Sequence, residues 1–436
     1  MSRDPLVVTL DGIPVAEISD AGSGLCALRY LDDVVGAQVG QPLISVRLPV
    51  RNEVWPAMQG TQAYLDGVLP EGWMRDQLAK NARLPAGDTF GLLARYGGDC
   101  AGAVAFHDRD SEPAPPGVRW LDPAELTAAL ADLRTLPLGD GTDDTIRLSL
   151  GGVQEKLVVV RDSGEGESGE HDTVRYGTPT GTTPSTHILK PSALNSDGSE
   201  RFPGIAEVEH LCVRLAAVIA SDRISGVGFT AATTSLETIG GRKVLVVERY
   251  DRRGTNRLHQ EDGCQILGRP PSEKYQDESN NRVRLAAIAQ ALETYGADPL
   301  LDQRALLQQV AYTVCVGNAD LHARNLSVVH DDGVRLAPMY DVVATASWTD
   351  VSTEFGLRIG EQYDIRDVRV GDLVSEAVTW GLGERAARRA VDVVGDAVTD
   401  NVEMVRDEIL EAGFGSDQLL RAVDVIIERT GRVLEN

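Results

Sequence analysis

The sequence of 436 residues is short of basic residues and of long apolar runs. It has 42 Lys and Arg against 66 Asp and Glu, a formal net charge of −24 at pH 7. Phosphate binding depends on Lys and Arg that displace counterions, so this chain is a poor candidate for direct nucleic-acid binding. No run approaches the ~18 apolar residues of a membrane span, and the run Leu6–Leu10 is too short for a signal peptide. We therefore expect a cytoplasmic protein that does not enter a membrane.

Several chemical signatures are also missing. The five cysteines are scattered without a C-x-x-C pair, and the seven histidines show no H-E-x-x-H spacing, so neither a disulfide framework nor a zinc site is predicted. There is no G-x-x-x-x-G-K-[ST] loop and no repeat of about 20–50 residues. A hydrophobic share of 42% nevertheless indicates an ample core, and the length predicts roughly three structural units.

The first unit is predicted over residues 1–138 as an α+β domain. Short apolar runs between turn residues indicate strands at Leu6–Leu10, Leu25–Tyr30 and Leu43–Leu48. The pattern changes to helix between Pro70 and Ala79. A second helix is predicted to begin at Asp122, followed by Pro123 and by an acid at the third helical position.

The remainder is predicted as two further units, 139–250 and 251–436. The first is strand-rich with one helix, and the acidic low-complexity stretch Arg161–Pro184 is predicted to be a loop inserted between two of its strands. The second is mostly helical with one hairpin within Leu326–Met339. The elements expected are strands at Lys156–Val160, Thr186–Lys190 and Lys243–Tyr250, and helices at Gly204–Ala220, Arg282–Tyr295, Leu300–Cys315, Arg385–Val398 and Asp417–Thr430.

The strongest chemical signal is an Asp/Asn/Asp set. Asp320 and Asn325 lie between a predicted helix and a predicted strand, and Asp341 follows the hairpin sixteen residues after Asn325. Kinase-type phosphoryl transfer uses one Asp to orient the attacking hydroxyl, and an Asn with a second Asp to hold Mg²⁺ against the phosphates. The spacing therefore predicts Asp320 as the catalytic residue and Asn325 and Asp341 as metal ligands.

A second signal is Lys190, at the end of a predicted strand, with Glu209 on the helix that follows. Kinases use such a strand lysine, paired to a helix glutamate, to orient the α- and β-phosphates. Glu207 is a competing partner on the same helix, and the apolar stripe of that helix does not decide between the two.

Two weaker signals accompany these. Gly151, Gly152 and Val153 lie between strands, where glycines allow backbone to approach phosphates, although a plain turn would have the same residues. The stretch Glu248–Tyr250 ends the last strand of the middle unit, where an adenine would meet backbone groups. That stretch could equally be a strand end with ion pairs.

In ordered blocks from end to end, the chain resembles the HipA-type toxin kinases, which are the serine/threonine kinases of toxin–antitoxin pairs. The blocks are LDGVLPEGWMRDQL and TFGLLARYGGDCAGAV in the N-terminal unit, SLGGVQEK (149–156), HILKP (187–191), VERYDR (247–252), HQEDGCQILG (259–268) with Lys274-Tyr275, GNADLHARN (317–325) and PMYDV (338–342). No physical role for the 259–275 block follows from the sequence. Arg324 stands where a lysine is more usual.

The resemblance implies an α+β fold, two-lobed and protein-kinase-like, with an added N-terminal α+β domain. It implies ATP and Mg²⁺ as cofactors, with Asp320 catalytic, Asn325 and Asp341 on the metal and Lys190 on the phosphates. It also implies autophosphorylation of Ser149, a small helix-turn-helix antitoxin that mediates any DNA contact, and a target such as an aminoacyl-tRNA synthetase. Two alternatives stay open: a small-molecule kinase of the aminoglycoside-phosphotransferase type, and a non-catalytic corepressor.

Overall fold

The structure is a computed structural model that describes residues 3–110, 114–135, 155–164, 174–195, 197–222, 226–276 and 282–435. The chain divides into two compact units. The first comprises Met1–Pro191, Thr238–Glu261 and Gly268–Pro271. The second comprises Ser192–Glu237, Asp262–Leu267 and Ser272–Asn436.

The first unit is built around two antiparallel sheets. In chain order its elements are β1 (Leu6–Leu10), β2 (Ile13–Asp20), β3 (Cys26–Tyr30), α1 (Asp32–Gln38), α2 (Thr61–Val68), α3 (Gly72–Ala82), α4 (Thr89–Tyr96), β4 (Val104–Asp108), β5 (Gly117–Trp120), α5 (Pro123–Ala131), β6 (Leu157–Asp162), β7 (Arg175–Thr180) and β8 (His187–Pro191). After an excursion into the second unit, which holds α6 (Ile205–Ser221) and the start of β9 (Thr234–Ile239), it continues with β10 (Arg242–Glu248), β11 (Arg252–Arg253), β12 (Asn256–Arg257) and most of β13 (His259–Asp262).

The N-terminal sheet has the strand order β3-β2-β1-β4. Its buried side chains, among them Leu6, Ile18 and Phe106, share one apolar core with Leu65 of α2 and Phe90 of α4. The predicted strands Leu6–Leu10 and Leu25–Tyr30 are confirmed, and β2 was not predicted.

The expected strand at Leu43–Leu48 is wrong. Ile44, Val46 and Leu48 are buried at alternate positions, as in a strand, but the segment has no strand backbone. Two of its backbone groups bond to side chains: the Val46 N–H donates to Glu261 Oε1 at 2.9 Å, and the Tyr30 hydroxyl donates to the Leu48 carbonyl at 2.5 Å. Burial at every second residue is therefore not sufficient evidence of a strand here, because the segment pairs with no neighbouring strand.

The second sheet runs β5-β7-β6-β8-β10, with the last residues of β9 at its far edge. Leu126 and Leu130 of α5 pack on one face, against Leu157, Leu189 and Val246. Helix α5 begins as predicted with a capping box: Asp122 Oδ1 accepts from the Glu125 N–H at 2.9 Å, and Glu125 Oε2 accepts from the Asp122 N–H at 2.9 Å.

The prediction that Arg161–Pro184 is a loop is wrong for residues 161–162 and Arg175–Thr180, which are strand. Strand β6 continues to Asp162, and β7 pairs with both β6 and β5. Strand β7 succeeds with few apolar residues because Tyr176 enters the core and Gly177 admits a neighbouring side chain. A Cβ at Gly177 would lie 2.4 Å from Val118 Cγ1.

The rest of the second unit is mainly helical. It contains α7 (Gly263–Leu267), α8 (Leu285–Tyr295), α9 (Pro299–Cys315), β14 (Ser327–His330), β15 (Val334–Leu336), β16 (Glu354–Ile359), β17 (Gln362–Asp364), α10 (Val370–Thr379), α11 (Glu384–Glu411) and α12 (Asp417–Leu434). The predicted helices and the β14–β15 hairpin are confirmed, whereas α10 and the β16–β17 pair were not predicted.

Helix α9 lies at the centre of this unit. Every residue from Ala305 to Cys315 is buried, and α9 contacts α8, α11 and α12. Helix α11 extends thirteen residues beyond the predicted end at Val398, to Glu411. Its apolar residues recur every three or four positions as far as Ile409, which keeps one continuous stripe buried. The end of α9 leads directly into the segment that carries Asp320.

Candidate active site

Residues 317–325, which we call the Asp320 loop, connect α9 to β14. The backbone N–H of Asp320 donates to Asn318 Oδ1 at 3.0 Å, and Asn318 itself is buried. Asn325 Nδ2 donates to the Asp320 carbonyl at 2.9 Å. Asp320 is exposed. The structure therefore brings the first two members of the predicted set together and leaves the Asp320 carboxylate at the surface of the second unit.

The orientation of the Asn325 amide follows from that hydrogen bond. A carbonyl oxygen can only accept, so the NH₂ group of Asn325 must face Asp320. The amide oxygen is then the atom turned away from this contact. Oxygen donors of this kind are the ligands that Mg²⁺ prefers.

Residues 338–346, which we call the Asp341 loop, follow β15. Two backbone hydrogen bonds hold the start of the loop at Met339. The Met339 N–H donates to the Thr230 carbonyl at 2.7 Å, and the Ala232 N–H donates to the Met339 carbonyl at 2.8 Å. Asp341 has φ +56°, in the left-handed region that non-glycine residues rarely adopt. Such conformations cost free energy and cluster at functional sites.

Thr345 joins the two loops. Its hydroxyl accepts from the Ala319 N–H at 2.8 Å and donates to the Gly317 carbonyl at 3.2 Å. The Ala346 N–H donates to the same carbonyl at 3.0 Å. Gly317 has φ +75°, so a side chain there would be strained. The loops that carry Asp320, Asn325 and Asp341 are thus held to one another, and Thr345 is a contributor that the sequence analysis missed.

The donor set fits a magnesium ion better than a transition metal. The two predicted ligands, Asn325 and Asp341, carry an amide oxygen and a carboxylate, and Mg²⁺ sites commonly use one or two protein oxygens with phosphate and water. Within the described part of the chain, no group of three or more His, Cys, Asp or Glu side chains is placed to hold a metal. A site completed by phosphate is consistent with both observations.

Lys190 lies in β8 of the first unit, opposite Leu245 of β10, and is 7% exposed. Its neighbour Leu189 faces the core under α5. Because successive side chains alternate across a strand, Lys190 is on the opposite face of the sheet from α5.

Lys156 is a second buried lysine, also 7% exposed, which the sequence analysis did not select. The β6–β8 register pairs Leu157 with Leu189, so Lys156, one residue earlier, falls on the row of Lys190. Lys156 is the last residue of the SLGGVQEK block, and this place in a family motif could have identified it from the sequence. The sheet thus aligns two lysines on one face.

For the remaining residues of the predicted phosphate site, the predicted roles stay predictions. Glu207 and Glu209 are both buried in α6 of the second unit, so burial does not choose between them, and the Lys190–Glu209 pair stays a prediction. Ser149, Gly151, Gly152 and Val153 lie outside the described residues.

The predicted adenine stretch has a defined backbone. Glu248 ends β10 and is exposed, and the Arg249 N–H donates to the Thr186 carbonyl at 2.9 Å. The Tyr250 hydroxyl donates to Gln260 Oε1. The adenine roles of Glu248 and Tyr250 stay predictions.

The charged residues beside this stretch form a buried cluster within the first unit. Arg252 Nη2 lies 2.8 Å from Asp99 Oδ1, and Arg249 Nη2 lies 2.8 Å from Asp251 Oδ2. Arg257 Nη1 is also 2.8 Å from Asp99 Oδ1. All five side chains are at most 7% exposed.

The cluster fastens the segment between α4 and β4. The Gly102 N–H donates to Asp251 Oδ2 at 2.6 Å, and both Arg249 and Arg252 donate to the Cys100 carbonyl. Burial alone would raise the pKa of Asp99, but the guanidinium groups of Arg257, Arg252 and Arg249 outweigh it and hold the pKa well below its usual range. Arg249, Asp251 and Arg252 of the VERYDR block therefore form structural ion pairs.

Two family models match the chain. The model described as the HipA N-terminal domain covers residues 6–107, and the model described as the HipA-like C-terminal domain covers residues 148–402. The second alone spans more than half of the chain. The chain belongs to the HipA family. The resemblance seen in the sequence motifs is thereby confirmed.

Two relatives match this chain along almost its whole length. A protein of Sinorhizobium fredii that is named as a kinase, Y4mE, is 31% identical over 97% of both chains. The serine/threonine-protein kinase toxin HipA of Shewanella oneidensis is 26% identical over 95% of this chain and 94% of its own.

A solved structure of Shewanella oneidensis HipA, in complex with HipB and operator DNA, has the same fold. The TM-score is 0.79, at 23% identity over 98% of this chain and 97% of that one. The predicted α+β fold, with an N-terminal domain and a kinase-like region after it, is confirmed. None of the helices in the described ranges combines the length and apolar character needed to cross a bilayer.

Proposed function

We propose that this protein is an ATP- and Mg²⁺-dependent serine/threonine protein kinase and the toxin of a HipA/HipB-type pair. One observation carries the proposal: two loops of the second unit, joined through Thr345, bear Asp320, Asn325 and Asp341. The relatives named as kinases support the same chemistry.

In this proposal each residue has a defined task. Asp320 accepts the proton of the attacking hydroxyl or orients it. Asn325 and Asp341 offer oxygens to the metal, and Lys190 neutralises phosphate charge, with Lys156 on the same row of the sheet as a second cation. Bound Mg²⁺ would neutralise charge on the transferred phosphate.

The test is transfer of radiolabelled γ-phosphate from ATP by the full-length protein. We expect Asp320→Asn to lower the rate by about 10²–10⁴-fold, the usual size of a general-base contribution. Asp332→Asn is the matched control, because Asp332 is an exposed residue between β14 and β15. Lys190→Ala is expected to abolish transfer, with Lys80→Ala on the exposed face of α3 as its control.

The acceptor decides between kinase classes. A lysate depleted of small molecules and a panel of small hydroxylated acceptors are supplied separately. Labelled protein with unlabelled small acceptors supports the proposal. Label only in small acceptors indicates a small-molecule kinase, and no transfer by the wild type, with ATP bound, indicates a corepressor.

The biological partners are proposed on the same basis. The fold shared with a HipA solved in complex with HipB supports a HipB-like antitoxin as the partner. We propose that this antitoxin is a helix-turn-helix protein and that DNA is contacted only through it. A chain with a net charge of −24 suits a basic partner. Co-purification with the product of the adjacent gene, and phosphoproteomic comparison of cells with and without active protein, would test the partner and the target, an aminoacyl-tRNA synthetase being the first candidate.

A further inference from the structure

The 259–275 block, which had no chemical role in the sequence, contacts the Asp320 loop within the second unit. Arg324 Nε lies 2.8 Å from Asp262 Oδ2, and the two side chains are 7% and 11% exposed. The carboxylate is fixed from its other side, because Asp262 Oδ1 accepts from the Gln265 N–H at 3.0 Å. Gln265 Oε1 in turn accepts from the Asp262 N–H at 2.9 Å. A partly buried acid, held from two sides, therefore defines where the Arg324 guanidinium lies.

Gly263 brings the block against the backbone on both sides of Arg324. Its N–H donates to the Leu326 carbonyl at 2.7 Å. A Cβ at this position would lie 2.5 Å from the Ala323 carbonyl oxygen, so only glycine allows the approach. The Ala323 N–H donates to the Lys274 carbonyl at 3.1 Å. The block thus supports the end of the Asp320 loop through backbone as well as side chain.

Tyr340 reaches the same arginine from the Asp341 loop. Its hydroxyl lies 2.7 Å from the Arg324 carbonyl and 2.6 Å from Ser327 Oγ. A carbonyl only accepts, so the single phenolic proton goes to Arg324 and Ser327 must donate to Tyr340.

We propose that Asp262, Arg324 and Tyr340 form a positioning chain that sets the separation of the two metal-binding oxygens. Arg324 immediately precedes Asn325, and Tyr340 immediately precedes Asp341. The hydrogen bond from Tyr340 to Arg324 therefore connects the backbones next to both proposed ligands. Mg²⁺ demands near-ideal octahedral geometry, so holding its ligands in advance favours its binding. This inference rests on the proposed function of Asn325 and Asp341.

The test removes one hydroxyl at a time. Tyr340→Phe deletes the bond to Arg324, and Tyr96→Phe is the matched control, since the buried Tyr96 hydroxyl donates to the Leu78 carbonyl at 3.1 Å and both residues belong to the first unit. Mn²⁺ binding to the full-length protein is measured by electron paramagnetic resonance, with a non-hydrolysable ATP analogue present. We expect about tenfold weaker Mn²⁺ binding for Tyr340→Phe, the usual effect of removing a group that orients a metal ligand. Tyr96→Phe is expected to bind Mn²⁺ as the wild type does.

Asp262→Asn provides a second, independent variant. It preserves the shape and the acceptor for Gln265, but its NH₂ cannot accept from Arg324, so we again expect weaker Mn²⁺ binding. The effects of Asp262→Asn and Tyr340→Phe should be less than additive, because both act through Arg324. Wild-type Mn²⁺ affinity in both single variants would overturn the inference.

The readout separates this inference from the kinase proposal. A wild type that binds Mn²⁺ and nucleotide but transfers no phosphate contradicts the kinase function alone. Phosphate transfer with wild-type Mn²⁺ affinity in both Tyr340→Phe and Asp262→Asn contradicts the positioning chain alone. A wild type that binds no Mn²⁺ in the presence of nucleotide contradicts both.

Discussion

Asp99 Oδ1 lies 2.8 Å from Arg252 Nη2, and both side chains are nearly inaccessible to water. This ion pair connects the N-terminal half of the first unit to the segment that follows β10, across 153 residues of sequence. A buried pair of this kind does not by itself indicate a large net stabilisation, because removing two charges from water is costly. Breaking it from one side, however, leaves buried charge without its partner.

Replacing Asp99 is therefore expected to destabilise the protein strongly. We predict that Asp99→Asn lowers the free energy of unfolding by about 3–5 kcal/mol, because three buried arginines would face one remaining acid. Urea denaturation followed by circular dichroism measures the change. The control is Asp32→Asn, whose pair with Arg29 is exposed and should contribute less than about 1 kcal/mol. Equal effects of the two variants would contradict the structural role of the cluster.

The same cluster predicts that the free energy of unfolding decreases at acid pH. The pKa values of Asp99 and Asp251 are lowered in the folded state, so their contribution is present above the unfolded value of about 4 and is lost as the pH falls below it. The stability difference between wild type and Asp99→Asn should be constant above about pH 4 and shrink below it. A difference that does not change between pH 7 and pH 3 would refute this assignment.

His210 predicts a second pH dependence, at higher pH. Burial in α6 lowers the pKa of His210 to about 4, Arg214 acts in the same direction, and Glu408 opposes them. The ring contacts Thr234 Oγ1 at 2.8 Å. The unfolded histidine takes up a proton near pH 6.5, whereas the folded one does so only near pH 4. The free energy of unfolding therefore decreases as the pH falls from 6.5 to about 4.

The corresponding variant is His210→Gln, which cannot titrate. We expect the wild type to lose up to about 3 kcal/mol more than His210→Gln across that window. Parallel stability curves for the two proteins would mean that His210 is protonated as easily in the fold as in the unfolded chain.

Ser149 carries a prediction that comes from the sequence motifs. Phosphorylation adds about −1.5 to −2 charge beside the proposed triphosphate site, which should weaken ATP binding. We expect intact-mass analysis after incubation with ATP and Mg²⁺ to show one added phosphoryl group, mapped to Ser149. Ser149→Ala and Asp320→Asn should each remain unmodified, for loss of the acceptor and of the catalytic residue respectively. Modification elsewhere in the Ser149→Ala protein would contradict the site.

Much of the local structure was predictable because local signals were strong. The capping box at Asp122 and the apolar stripes of α6, α9 and α12 identified helices whose ends lie within a few residues of those predicted. The failures came where burial pattern and backbone hydrogen bonding disagree. Leu43–Leu48 alternates like a strand without a partner strand, and β7 pairs in a sheet although its composition is that of a loop.

The sequence by itself determined the family, most of the helices of the second unit, and the residue types that phosphoryl transfer requires, because spacing along the chain preserves those signals. Only the tertiary structure decided which side chains support them. Asp262 and Arg324 are 62 residues apart, and Asp99 and Arg252 are 153 apart. Arg324 and Tyr340 are nearer in sequence, but a hairpin separates them. Contacts of this kind depend on how the chain folds back on itself, and pattern or propensity within a short window contains no information about that.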